Sequence, residues 1–121
     1  IIMKDYLYVI SLKGCPHSLS TEKLLEEYKI KNKTIKIDYD QLDQYRTKEI
    51  STCPQIYYVK NDINNKKLIG GNSDFQKIIE LNNRLIQEPN NFDNLIQDYL
   101  NETKLKKKNL YRILFLINKD N

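Results

Sequence analysis

No apolar run in this chain approaches the roughly 18 residues that a membrane-spanning helix needs, so no transmembrane segment is expected. The opening residues, Ile1-Ile2-Met3-Lys4-Asp5, lack a charged region followed by an apolar stretch, so no signal peptide is expected either. Met3 is a candidate natural start. Cysteine is scarce, with only Cys15 and Cys53. In a secreted protein two cysteines could form one disulfide. In an intracellular protein they point to packing or redox chemistry, and without a signal peptide the cytoplasmic setting is expected. The sequence also has no phosphate loop, no carboxylate pair at a recognisable spacing, no metal-ligand spacing beyond the thiols and no internal repeat.

The 121 residues suffice for one compact domain and not comfortably for two. Hydrophobic residues make up 40%, enough to bury a core, and charged residues 30%, as in a soluble protein. The net charge of +4 is a mild excess, with bases mostly mixed among acids, so nucleic-acid binding is not expected.

Tyr6 to Ser11 reads as a strand and ends at Lys13-Gly14-Cys15-Pro16. A helix follows from Pro16 to about Tyr28, since proline is favoured at a first helical position where its missing N–H has no partner. Thr34 to Tyr39 alternates and predicts a second strand. Asp40 can cap a second helix to about Ile50, with Leu42, Tyr45 and Glu49 at helical spacing. Gln55 to Lys60 and Lys66 to Ile69 predict two more strands joined by a short loop, hence antiparallel. Gly70-Gly71-Asn72-Ser73 opens a helix through Ile86, capped by Asn72 or Ser73. The order β-α-β-α-β-β-α predicts a four-stranded mixed sheet with helices on both faces. Glu88-Pro89-Asn90-Asn91 is a break. Beyond it Phe92, Leu95, Ile96, Tyr99 and Leu100 fit an amphipathic helix, while Asn109 to Ile117 fits a helix or a strand.

Cys15, just before proline at a helix start, sits where unpaired N–H groups and the helix dipole favour negative charge. Such a place favours the thiolate, the form that attacks disulfides. Three motifs stand in order: Cys15-Pro16-His17-Ser18 after the first strand, Thr52-Cys53-Pro54-Gln55 before the third, and Gly70-Gly71-Asn72-Ser73-Asp74 at the last helix. Over roughly Lys4 to Ile86 the chain resembles the glutaredoxin family.

That resemblance implies an α/β, thioredoxin-like fold with flanking helices and a C-terminal helical extension, divided as a glutaredoxin-like domain over 4–87 and the extension over 88–121. It implies electron transfer in cell redox homeostasis. Cys15 would take glutathione from a glutathione mixed disulfide, and a second glutathione would restore it. Two-cysteine relatives carry a second cysteine where this chain has Ser18, so a monothiol route is expected, whether Ser18 is natural or replaces a resolving cysteine. Cys53-Pro54 corresponds to a cis-proline loop whose backbone pairs with glutathione like an added strand, with Thr52 lining the site. Cys53 itself is either a small apolar filler or a second redox thiol facing Cys15. Gly71, Ser73 and Asp74 would hold the γ-glutamyl end of glutathione, the N–H of Ser73 and the Asp74 carboxylate taking its charged groups. His17 would pack beside glutathione or lie in water. Lys13, two residues before Cys15 where the family has a cation three before, would pair with the glycine carboxylate or be solvated. Gln41, Gln44 and Arg46 are further candidates for a polar glutathione contact.

The expected partners are glutathione and glutathionylated or disulfide-containing proteins. One alternative is a [2Fe-2S] carrier using Cys15 and glutathione from two subunits. Another is a redox-inactive interaction module. Lys104, Lys106, Lys107, Lys108 and Arg112 gather at the C-terminal apolar run. They belong either to an element that docks a partner or a membrane surface, or to an extra helix packed on the domain with its lysines in water.

Overall fold

A run of aromatic, β-branched and other apolar residues makes Asp5–Leu12 a strand, β1, at the heart of the sheet. The computed structural model describes residues 5–119; the candidate start at Met3 and the expected boundary at residue 4 lie outside the described residues. β1 pairs in parallel with β2 (Asn32–Ile37), Leu7 opposite Asn32 and Leu12 opposite Ile37. On its other side it pairs antiparallel with β3 (Gln55–Lys60), Ile10 opposite Gln55. β3 pairs antiparallel with β4 (Lys67–Gly70), giving the order β2-β1-β3-β4. Helix α1 (Pro16–Glu27) makes the crossover between β1 and β2, and α2 (Asn72–Gln87), α3 (Phe92–Glu102) and α4 (Lys107–Asn118) follow the last strand.

The twofold period of the strands divides the apolar residues between two faces. Leu7, Val9, Ile56 and Tyr58 face a main core completed by Leu25 of α1, Phe75 and Ile78 of α2, Leu95 and Ile96 of α3, and Leu110, Ile113 and Ile117 of α4. The C-terminal run is therefore a helix, with its apolar stripe buried and Lys106, Lys107 and Lys108 exposed. No helix among the described residues is long and apolar enough to cross a membrane.

The opposite face carries a smaller cluster of Ile10, Ile37, Leu42, Cys53 and Tyr57. Here the expected α-helix over 40–50 is absent. A short 3₁₀ helix, Tyr39–Gln44, is followed by an irregular loop, so all four α-helices feed the main core and the second face is closed differently. Hydrogen bonding explains the difference. The cap is Asp38, two residues before Asp40: its N–H donates to the Gln41 side chain at 2.8 Å, and the Gln41 N–H returns to its carbonyl at 3.0 Å. The Thr47 hydroxyl then accepts from the Glu49 and Ile50 N–H groups at 3.2 and 3.0 Å. A threonine that satisfies nearby N–H groups offers the backbone an alternative to the helix. Buried Gln55 clamps this loop to the sheet, donating to the Tyr45 carbonyl at 2.8 Å and accepting from the Tyr57 hydroxyl at 2.9 Å.

α1 ends with Lys29 in the left-handed region, φ 52°. The Lys29 and Ile30 N–H groups return to the carbonyls of Glu26 and Leu25, and Ile30 is buried in the same core as Leu25. This is the double closure that usually selects glycine at the left-handed position.

Two phenols stand out, Tyr58 buried in the main core and Tyr99 half-buried against it. The Tyr58 hydroxyl donates to Asp5 Oδ2 at 2.8 Å. Burial first, and then Asp5, push Tyr58 up from 10.0 to about 12, while Arg112 pulls the other way. Burial and the charge of Asp74 push Tyr99 to about 12 as well. A raised folded value means that the folded state holds the phenol protonated. The stability these groups contribute is fully present below about pH 10 and is lost as pH rises through about 12. Thermal unfolding followed by circular dichroism should thus show a steep alkaline loss in that window, with a shallower one in the Tyr58→Phe/Tyr99→Phe double variant. Parallel losses in both proteins would contradict it.

Candidate active site

Gly14, at φ 76°, turns the chain from β1 into α1. Cys15 is the N-cap, in an extended conformation with no side-chain capping bond, and Pro16 is the first helical residue. The Cys15 N–H donates to the Leu12 carbonyl at 3.2 Å, and its own carbonyl accepts from Leu19 N–H at 3.0 Å. The backbone of Cys15 is thereby fixed while its sulfur is left partly exposed. Ser18, one turn on, is 0% exposed, and its hydroxyl accepts the Leu12 N–H at 3.0 Å. Next on the same helix, buried Thr21 donates to Asn72 Oδ1 at 2.8 Å, tying α1 to the first residue of α2.

The Cys15 sulfur lies 3.9 Å from the carbonyl oxygen of Cys53. The Cys53–Pro54 bond is cis, at the entry to β3. The Cys53 side chain is buried in the second cluster, among Ile10, Ile37, Leu42 and Tyr57. Burial pushes its thiol above the ordinary value, and charge on Cys15 would add to the shift.

The third motif completes the rim. The N-cap of α2 is Gly71, not Asn72 or Ser73. The Asn72 side chain is taken by Thr21, whereas Asp74 turns back to accept the Gly71 N–H at 3.0 Å. A carboxylate at the third helical position holding the cap N–H is half of the reciprocal capping arrangement. Gly70 permits it twice over: its φ of 136° disfavours a side chain, and a Cβ would stand 2.2 Å from the Asp74 carboxylate. At Gly71 a Cβ would meet the Pro54 carbonyl oxygen at 3.6 Å, ordinary contact distance, so the cis-proline loop and the start of α2 are neighbours.

One groove of about 1420 Å³ runs between these elements. His17, Thr52, Cys53, Pro54, Gly71, Ser73 and Asp74, all expected from the sequence, line it, with Cys15 beside them through the Cys53 carbonyl. Lys13 is not among the lining residues; its ammonium pairs with Asp38 at 3.3 Å. Gln41 is used in the Asp38 turn, and of the three polar candidates Arg46 alone lines the groove, bonded to Asp43 and to the Ser51 carbonyl. The sequence did not mark Glu49, Lys77 or the end of α3 as lining residues, yet Tyr99, Glu102, Thr103 and Lys104 form one wall. No local pattern announces them, because only the packing of α3 on α2 brings them there.

A parallel β-α-β unit followed by an antiparallel β-β-α unit, with a cis-proline between them facing the N-terminus of the first helix, defines the architecture. The fold is thioredoxin-like. It is similar to the crystal structure of glutaredoxin 1 from Francisella tularensis complexed with cacodylate, with a TM-score of 0.47 and 23% identity over 64% of this chain and 94% of that one. No protein-family model and no curated protein matches the sequence.

The two thiols should differ in reactivity. With iodoacetamide near neutral pH and peptide mass mapping, Cys15 should be alkylated in the folded protein and Cys53 only after denaturation; equal labelling would contradict the burial of Cys53. Replacing Ser18 by alanine leaves the half-buried Leu12 N–H without its partner and should cost about 0.5–1.5 kcal/mol in chemical denaturation, whereas Ser18→Cys, which keeps a weak acceptor, should cost less.

Proposed function

We propose that this chain is a glutaredoxin-type thiol–disulfide oxidoreductase, dependent on glutathione and working through Cys15 alone. The observation that carries the proposal is the half-exposed Cys15 sulfur at the start of α1, 3.9 Å from the carbonyl of the residue before the cis-proline. A substrate strand paired with the Cys53 backbone would bring its sulfur to that of Cys15.

In the first step the Cys15 thiolate attacks the glutathione sulfur of a protein–glutathione disulfide. The Cys15–glutathione bond forms, the old sulfur–sulfur bond breaks, and the protein leaves as a thiolate that takes a proton from water. In the second, a glutathione thiolate attacks the glutathione sulfur on Cys15. Oxidised glutathione leaves and the Cys15 thiolate is restored. Neither step needs a second protein thiol. Ser18 cannot form a disulfide, and Cys53 is turned into the core.

The groove supplies the binding groups this chemistry calls for. Thr52 and the Cys53 backbone flank the tripeptide, His17 lies at the helix start, and Gly71, Ser73 and Asp74 meet the γ-glutamyl end. Arg46 lines the groove and Lys13 does not, so Arg46 is the better-placed cation for the glycine carboxylate. We read 4–87 as the redox domain, 88–121 as an extension sharing its core, and glutathionylated proteins of the cytoplasm as substrates. For a [2Fe-2S] cluster the chain offers one accessible thiolate, Cys15, and no group of three or more His, Cys, Asp or Glu side chains among the described residues, so the other ligands would have to come from outside it.

Glutathione-dependent reduction of a small glutathione mixed disulfide should be readily measured for the natural sequence, fall to background in Cys15→Ser and largely survive in Cys53→Ser. Equal turnover by the natural sequence and Cys15→Ser would overturn the proposal.

A further inference from the structure

The far end of the groove is built by a part of the chain that lies beyond the three motifs. Tyr99 packs partly buried against the main core, and Leu105 packs against the same core six positions on. Between them Thr103 leaves the helix in an extended conformation, φ −132° and ψ 170°, and its hydroxyl accepts the Leu105 N–H at 3.3 Å. The segment is thus pinned at both ends, while Glu102 and Lys104 stand exposed and line the groove. Tyr99 feels the charge of Asp74, which places this wall beside the first turn of α2. Glu102 follows Tyr99 by three residues and Lys77 follows Asp74 by three, spacings that keep each pair on one helix face.

Four side chains therefore border this end: Asp74 and Glu102, Lys77 and Lys104. Glu102, Lys77 and Lys104 enter none of the ion pairs among the described residues, unlike Arg46 toward the other end, which is paired with Asp43. Two acids and two bases, of which only Asp74 is already engaged as a cap acceptor, match a ligand end that bears one ammonium and one carboxylate. The groove also exceeds the roughly 300–1,000 Å³ of ordinary small-ligand sites, as an added wall would make it.

We infer that the turn after α3 is a recognition wall for the free amino-acid head of a γ-glutamyl thiol, with Lys104 and Glu102 as specificity-determining residues. The inference rests on the glutathione reading above. Lys104 meets the α-carboxylate, and Glu102 supports Asp74 in meeting the α-ammonium.

The test is calorimetric titration of the full-length Cys15→Ser protein with two unreactive probes, S-methylglutathione and S-methylcysteinylglycine, which lacks the γ-glutamyl head. Adding Lys104→Gln should weaken S-methylglutathione by about fivefold, as expected for one exposed charge contact, and leave the truncated probe unchanged. Glu102→Gln should act in the same sense and less strongly, with Asp74 still in place. Unchanged affinity for S-methylglutathione in both variants, or an equal loss for both probes, would overturn the wall while leaving the glutathione groove standing. No binding of S-methylglutathione to the Cys15→Ser parent would overturn both.

Discussion

The hydrogen bond from the Leu12 N–H to the buried Ser18 hydroxyl closes the junction between β1 and α1, and the reactive end of the molecule depends on it. Without that partner, the last N–H of the central strand would be half-buried and unpaired, and a lost hydrogen bond of this kind costs about 0.5–1.5 kcal/mol. With it, Gly14 can turn sharply, Cys15 is fixed through its backbone, and only its sulfur is left for chemistry. A small hydroxyl at this place thus does a structural task that a thiol would do less well.

The second constraint is the division of the sheet into two unequal faces. The main face receives all four α-helices, including the two C-terminal ones, and carries most of the buried apolar side chains. The other is sealed by a 3₁₀ turn and a loop, held by Gln55, by the Thr47 hydroxyl and by a few apolar contacts. The groove lies where the two arrangements meet, between the cis-proline loop and the start of α2, and the end of α3 closes its far side.

Much of this could be read from residue order. Runs of aromatic and β-branched residues in Tyr6 to Ser11 and Gln55 to Lys60 mark the central strands, and the flanking proline and glycines mark the starts of α1 and α2. Errors arose where side chains compete for backbone groups. Leu42, Tyr45 and Glu49 have helical spacing, but Thr47 takes the Glu49 and Ile50 N–H groups that a helix would need. The cap of α2 moved to Gly71 because Thr21, distant in sequence, occupies Asn72. Asn109 to Ile117 could not be assigned by periodicity alone, since a short apolar run suits either state. The far wall of the groove was illegible for a different reason: its residues share no motif, only a place in space.

The sparse sealing of the second face also sets how Cys53 is protected. A buried thiol becomes reactive at the rate and cost of whatever motion uncovers it, and a loop with few apolar contacts opens more easily than a helical core. Cys53 lies under such a loop rather than inside the main core. Its shelter therefore depends on how this loop is packed as well as on the stability of the whole fold. The hydrogen bonds of Thr47 and of the Tyr45 carbonyl thus belong to the wall that keeps this thiol from solvent.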